Sequence, residues 1–291
     1  MALELSSFDA AAILAKAVVY ASTLGATGAV IFLGYGESRL HGPQRAHLRR
    51  LIYWLSAASI IGTALRISLL SGSMSDAFSG MFDRSFATMI LAAGEGRASA
   101  ARIGGLALLS VALAVRKRGG VLALAGAVLA ASSFAWVGHA QALHRAWPVA
   151  LLATHLLCAA FWMGALYPLL YVARSGEIEQ LAGLAERFGR SAMVLVSLLI
   201  LVGVVVLAAL LPTFDAVWQS DYGRLVMIKI SLVAALLAAA GFNRLQVTPR
   251  LMRNDAAAVR QLRHSIRIEM VLAACILLVT ALFTSATGPD M

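Results

Sequence analysis

Three histidines near the middle of the chain have the type and spacing that best suit metal binding. His139 ends one apolar run, His144 follows in a short connection, and His155 lies about two turns into the next run. Helices joined by so short a connection are antiparallel neighbours, so His139 and His155 are expected to approach each other at one end of the pair. Imidazole is a common ligand of copper and zinc. A hydrogen-bonded core role is the alternative for each ring.

Two methionines, Met74 and Met81, are further candidate ligands. Both lie in the stretch 71–97 between two apolar runs, which we expect at the same end of the molecule as the histidines. Thioether sulfur suits Cu(I), but methionine in an apolar protein also serves as a packing residue. Without a Met-x-x-Met run beside them, packing remains the alternative for both.

Four basic residues stand inside apolar runs or at their ends: Lys16, Arg66, Arg102 and Lys229. Charge in the hydrocarbon core is costly, so it marks candidate functional positions. Two interpretations stay open: the long side chains snorkel to the interface, or each has a buried partner or a polar cavity. The acidic residues predicted as partners are Asp83, Asp215 and Asp221.

The composition requires membrane helices to position these residues. Of the 291 residues, 60% are hydrophobic and 13% are charged, whereas soluble domains average about 45–50% and about 25%. Apolar runs of about 20 residues cross a bilayer as helices. We therefore predict an all-α bundle of eight transmembrane helices, a single domain over 1–291 with no soluble part. The predicted spans are Phe8–Leu33, Leu51–Leu70, Ala98–Val115, Val121–Gly138, Val149–Ala173, Ser191–Leu211, Leu225–Gly241 and Ile266–Ser285.

The basic residues are distributed unevenly between the two sides of this bundle. Sixteen of the 24 Lys and Arg residues fall in the connections after the first, third, fifth and seventh spans. Because cytoplasmic loops are enriched in Lys and Arg, we predict an inner-membrane protein with both termini in the periplasm. The net charge of +10 resides largely in these loops, so we expect no nucleic-acid partner.

Two connections are long enough to carry structure of their own. Part of the stretch 71–97 is predicted to form an interfacial helix with Phe78, Met81, Phe82 and Phe86 on one face. The basic stretch 243–267 is predicted to form a surface helix that contacts anionic membrane lipid. Walker, nucleophile-elbow and His-Glu-x-x-His patterns are missing, so we do not expect an enzyme.

Two blocks resemble the copper resistance protein D (CopD) family. The first is Gly138-His139-Ala140 followed by 153–166, which holds His155, Trp162 and Gly164 in a His-Leu…Trp-x-Gly pattern. The second is Asp221-Tyr222-Gly223-Arg224-Leu225 with Lys229, followed by Asn243-Arg244. Both blocks lie within 133–250, and the first half of the chain is similar to the family only in its helix pattern. Ala165 stands where the family pattern has a second glycine, a difference that concerns helix packing.

The resemblance implies a bacterial inner-membrane protein that moves copper inward from the periplasm, often beside a periplasmic carrier of the CopC type. It implies His139 and His155 as ligands, whereas His144, Met74 and Met81 are added from position alone. Two alternatives stay open. Histidines on neighbouring helices could hold a b-type haem in a membrane redox protein. A copper-delivery or assembly factor would bind the metal without transporting it.

Overall fold

The computed structural model describes residues 6–36, 38–75, 77–115, 119–137, 146–175, 177–210 and 221–286. Regular structure within these ranges is helical throughout. The α-helices are α1 Ser7–Gly36, α2 Gly42–Ser75, α3 Arg84–Ala92, α4 Gly94–Ala114, α5 Gly119–Ser132, α6 Ala146–Ser175, α7 Ile178–Leu210, α8 Asp221–Phe242, α9 Thr248–Met252 and α10 Ala256–Ala286. Two 3-10 helices, Phe78–Phe82 and Ser133–Trp136, and one π turn, Asn243–Val247, complete the elements.

The predicted fold class is confirmed. Within the described ranges, seven helices are long and apolar enough to cross a membrane, and a shorter apolar helix, Gly120–Trp136, lies where the fourth span was predicted. In this shorter segment, the 14 residues of α5 rise about 21 Å. The four residues of the 3-10 helix add about 8 Å, which brings the segment close to the thickness of the hydrocarbon core, about 30 Å.

Helix α1 is the central element of the bundle, packing against α2, α5, α6 and α10. Hydroxyl groups link it to its neighbours: Thr23 bonds Ser59 of α2, and Thr27 donates to the Ala127 carbonyl of α5. Its closest crossing is with α6, where Gly28 faces Gly164 and a Cβ atom on Gly28 would lie 2.6 Å from the Gly164 Cα. The absence of two side chains therefore lets the backbones of α1 and α6 meet.

The two ends of the bundle differ in character. The end of α1 that holds Asp9 contacts Ser73 near the end of α2, and Lys16 contacts the last turn of α10. We call this end, where α1 begins and α2 and α10 finish, the terminal face. The opposite end, at Gly36, Gly42 and Ala256, is called the basic face because most of the arginines lie towards it.

The prediction of a separate surface helix over 243–267 is wrong. Helix α8 continues through the π turn and α9 as one span, Gly223–Met252, and three residues separate it from the start of α10 at Ala256. Pro249 lacks an amide hydrogen and crowds the preceding turn, which accounts for the wider π turn just before it. Asn254, at φ 60°, reverses the chain. Two hydrogen bonds, one from the Arg250 side chain and one from the Ala257 amide, hold the pKa of Asp255 below its usual range.

The stretch 71–97 also departs from its prediction. It forms the 3-10 helix Phe78–Phe82 and then α3, rather than one interfacial helix. Phe78 and Phe82 form an exposed edge-to-face pair, but Met81 packs inward beside Phe8 and Leu69. The reason is the tighter 3-10 geometry, in which residues three apart eclipse one another and the face predicted for an α-helix is divided.

Candidate functional site

His155 lies on α6 at the side that faces α7. Its ring packs against Gly203, where a Cβ atom would come 3.4 Å from His155 Cε1, and the Leu199 backbone runs beside it. The Nδ1 atom is buried, and although the Leu199 backbone acts on the ring, no atom of the described residues makes a hydrogen bond of normal geometry with it. Buried polar atoms are nearly always paired, so an unpaired imidazole nitrogen is a donor atom available to a ligand.

Lys229 of α8 is the charged neighbour of this histidine. Its ammonium is close enough to act electrostatically on the imidazole, and it lies 5.1 Å from the centre of the Phe283 ring of α10. Within the described residues, no carboxylate pairs with Lys229. The aromatic face supplies the favourable electrostatics instead, as in other cation–π contacts.

Lys16 of α1 also contacts the end of α10, at the residues that follow Phe283. Its Nζ donates to the Thr284 carbonyl and to Ser285 Oγ, each at 3.0 Å, and lies 5.9 Å from the Tyr20 ring centre. Carbonyls in the last turn of a helix lack intrahelical partners and carry partial negative charge. Lys16 therefore has a protein partner, but both hydrogen bonds are exposed at the end of α10, so this contact agrees with either of the two interpretations.

The two arginines of the terminal half have protein partners as well. Arg66 forms an ion pair with Glu95, and the side chains of the pair are only 12% and 16% exposed. Arg102 is 3% exposed, donates from Nε to Ser133 Oγ at 3.2 Å, and stacks its guanidinium 4.1 Å from the Phe134 ring centre. Both guanidinium groups are thus paired or stacked within the bundle, which favours the second of the two interpretations for them.

These residues form one electrostatic cluster beneath the terminal face. Lys16, Arg66, Arg102 and Glu95 act on one another, so three basic groups share one carboxylate. The predicted partner Asp83 is not the one that pairs with Arg66. Its exposed side chain instead caps α3 by accepting from the Ser85 amide at 2.7 Å.

The other predicted residues are placed as follows. Met74 is exposed at the end of α2, Met81 packs among apolar side chains, and the described contacts bring neither to His155. Asp221 is the first residue of α8. His139, His144 and Asp215 lie outside the described residues. No group of three or more His, Cys, Asp or Glu residues within the described ranges is arranged to hold a metal ion.

One acidic residue inside the bundle was not anticipated. Glu269 of α10 is 3% exposed and accepts hydrogen bonds from Asn243 Nδ2 at 2.6 Å and from Trp162 Nε1 at 3.3 Å. Both donors belong to the two blocks of the sequence resemblance. The sequence could have indicated this residue, because Glu269 lies within the predicted span Ile266–Ser285 and carboxylates are rare in membrane helices.

Two family models match the chain. The N-terminal domain of copper resistance protein D-like proteins covers residues 7–149, and copper resistance protein D covers residues 182–283. The chain belongs to the copper resistance protein D family. It is a copper-related, multi-pass membrane protein. The first half, which resembled the family only in its helix pattern, is thus matched as well.

The comparison with individual proteins agrees with the family. Over 261 residues the chain is 28% identical to a protein named "Copper resistance protein D" from Pseudomonas syringae pv. tomato, covering 81% of this chain and 84% of the relative. No solved structure matches. Of the residues described above, Asn243 and Glu269 lie within the range of the copper resistance protein D model, and His155 lies between the two matched ranges.

Proposed function

We propose that this protein takes copper from the periplasm at a site centred on His155 and His139 and passes it into or across the inner membrane. The observation that carries the proposal is the buried Nδ1 of His155, which makes no hydrogen bond with the described part of the chain, in a member of the copper resistance protein D family. Neutral imidazole nitrogen binds both common oxidation states of copper. Copper is the cargo here, so a site with few protein ligands suits both its capture and its release.

The remaining donors are proposed from the sequence. The connection between α5 and α6 is short, so His139 is available to the same ion as His155, and His144 lies between them. Met74, which is exposed at the terminal face, is suited to present Cu(I) to this site. Met81 would have to leave its apolar packing to take part.

The terminal face is proposed to face the periplasm, with both chain ends on that side. The support is the concentration of arginine towards the opposite end. The basic cluster beneath the terminal face would attract an acidic partner, which fits a periplasmic copper carrier of the CopC type. Such a carrier would also offset the repulsion that Lys229 exerts on a bare cation near His155.

The test is metal analysis with an absorption spectrum of the purified protein. Wild type is compared with the double variant His139→Ala/His155→Ala and with the control His264→Ala, whose side chain is exposed on α10 at the basic face. We expect copper in wild type and in the control, and loss of copper from the double variant. Unchanged copper in the double variant would contradict the site, and a Soret band lost in the same variant would assign the histidines to haem.

Transport is tested separately in liposomes that contain the protein. Copper loaded outside should appear inside with wild type, and its rate of appearance should fall sharply with His155→Ala. Binding that depends on the histidines, without any movement across the membrane, would instead favour a protein that delivers copper to a partner.

A further inference from the structure

The carboxylate of Glu269 is placed in an unusual environment for an acidic group. It lies one turn inside the apolar run 266–285 and is 3% exposed. Its hydrogen-bond donors are the Trp162 indole and the Asn243 amide, both neutral. A buried carboxylate without a basic partner is costly when ionised, so such a group readily takes up a proton.

The surroundings provide no charge that would hold it ionised. The elements packed against α10 are α1, α6, α8, α9 and the π turn, and within the described residues no charged side chain acts on the carboxylate. Several titratable groups of these elements have other contacts or are exposed: Lys16 bonds Thr284, Lys229 lies against Phe283, Arg244 pairs with Glu186, Arg250 pairs with Asp255, and His264 and Arg267 are exposed.

Asn243 can pair with this carboxyl group in either protonation state. As placed, its Nδ2 donates to Glu269 Oε1, and its own Oδ1 is buried with no hydrogen-bond partner among the residues that the structure describes. Rotation of the amide by half a turn would present Oδ1 to the carboxyl oxygen, where it accepts from the protonated acid. The π turn supports this position, because the Asn243 carbonyl accepts from both the amide and the hydroxyl of Thr248.

The Glu269 carboxylate is linked to the candidate metal site through helix α6, which carries both His155 and the Trp162 that donates to Glu269. Trp162 and His155 are seven residues apart on α6, so they share one face of the helix, and Trp162 is about 10 Å nearer the basic face. The carboxylate to which Trp162 donates is therefore reached from His155 along one face of α6, towards the basic face.

We propose that Glu269 is a proton-binding site inside the membrane, whose carboxylate binds one proton from water and releases it again during the working cycle. Asn243 and Trp162 hold the carboxyl group in both states. The release is coupled to the arrival of the metal cation, which the ionised carboxylate attracts. This coupling rests on the proposed function, but the proton site itself does not.

The site is tested by infrared difference spectroscopy of the full-length protein as the pH is changed. We expect a protonated-carboxyl C=O band that titrates in wild type, shifts in heavy water and is missing from Glu269→Gln. The glutamine amide can donate to Asn243 Oδ1 and accept from Trp162, so this variant mimics the protonated state and should fold. Glu186→Gln, which alters a partly exposed carboxylate near the basic face, is the matched control and should keep the band.

The measurement covers every pH at which the wild-type protein remains folded. If no carboxyl band that depends on Glu269 titrates in that range, the proposal is overturned. The coupling is tested by the pH dependence of copper uptake into liposomes, which we expect in wild type and not in Glu269→Gln. The same pH profile in both proteins would overturn the coupling. If wild type moves no copper while the band titrates, the proposed function fails and the proton site stands.

Discussion

At the scale of single residues, this protein stabilises charge inside the bundle by several different means. Arg66 has a carboxylate, Arg102 has hydroxyls and an aromatic ring, and Lys16 has the end of a helix. Glu269 has only neutral donors. Because the cost of a buried charge depends on its partner, these residues should respond differently when that partner is removed.

Removal of the Glu95 charge should destabilise the fold. Glu95→Gln leaves the Arg66 guanidinium with a neutral partner in a largely buried position, which we expect to lower the free energy of unfolding by about 3 kcal/mol. Thermal unfolding of the purified protein in detergent measures the effect. Glu186→Gln, whose carboxylate is 31% exposed and 3.7 Å from Arg190, is the control and should change stability by about 1 kcal/mol or less. Equal effects of the two variants would contradict the importance of the buried pair.

Removal of the Lys229 charge should strengthen copper binding if His155 is a ligand. The lysine acts on the imidazole, and a neighbouring unit charge in a partly buried site changes the affinity for a cation by about tenfold. Titration with a competing chelator compares Lys229→Met with Lys16→Met, in which the altered charge lies on the other side of the α10 end. Weaker binding in Lys229→Met than in wild type would show that the lysine supports the site instead.

At the scale of helices, the decisive features are close crossings and the π turn. The α1–α6 crossing at Gly28 and Gly164 brings α6 against α1, the central helix of the bundle. It thereby sets the positions of His155 and Trp162, which are both on α6. The α4–α5 pair uses the same device, since a Cβ atom on Gly105 would lie 2.6 Å from the Gly126 carbonyl oxygen. The π turn at Asn243 positions the amide that Glu269 requires.

Small additions at the α1–α6 crossing should be poorly tolerated. Gly164→Ala places a methyl group 2.6 Å from the Ala29 backbone nitrogen, and we expect a loss of about 1–3 kcal/mol from overpacking. Gly34→Ala is the matched control, because a Cβ atom there meets nothing within 4 Å, and replacing a helical glycine should stabilise by about 0.5–1 kcal/mol. Melting temperatures report both effects. A Gly164→Ala protein as stable as the control would show that the crossing relaxes freely.

At the scale of the whole molecule, the asymmetry of charge should determine how the bundle lies in the membrane. The start of α1 at Ser7 and the end of α10 at Ala286 both belong to the terminal face. The basic connections belong to the other face. Since arginine-rich connections are retained in the cytoplasm, the candidate metal site should be open to the periplasm.

Cysteine labelling in intact cells tests this orientation. The native cysteines, Cys158 and Cys275, are first replaced by alanine. Ser85→Cys, exposed at the start of α3, should react with a membrane-impermeant reagent added outside. Arg253→Cys, exposed between α9 and α10, should react only after the cytoplasmic membrane is opened. The reverse pattern would place the histidines on the cytoplasmic side and contradict the proposed direction of uptake.

Much of the fold could be predicted because hydropathy and helix length are local properties of a chain. Seven of the eight predicted spans correspond to long apolar helices, and the eighth to a shorter one. The surface helix over 243–267 was predicted wrongly because the spans were bounded by their apolar runs, whereas the helix of α8 continues through the π turn and α9 to Met252, and α10 begins at Ala256, ten residues before its apolar run. Of the predicted ligands, His155 has the unpaired buried nitrogen expected of a ligand, and its pairing with His139 stays a prediction.

The amino-acid sequence by itself determined the helical class, the positions of the spans, the uneven distribution of arginine and the family. Only the tertiary structure decided which partners meet. Arg66 finds Glu95 rather than Asp83, Lys16 finds a carbonyl on the last helix, and Trp162 meets Glu269 across 107 positions of sequence. The physical reason is that the rotation and crossing of each helix select its contacts, and both depend on packing against helices that are distant in sequence.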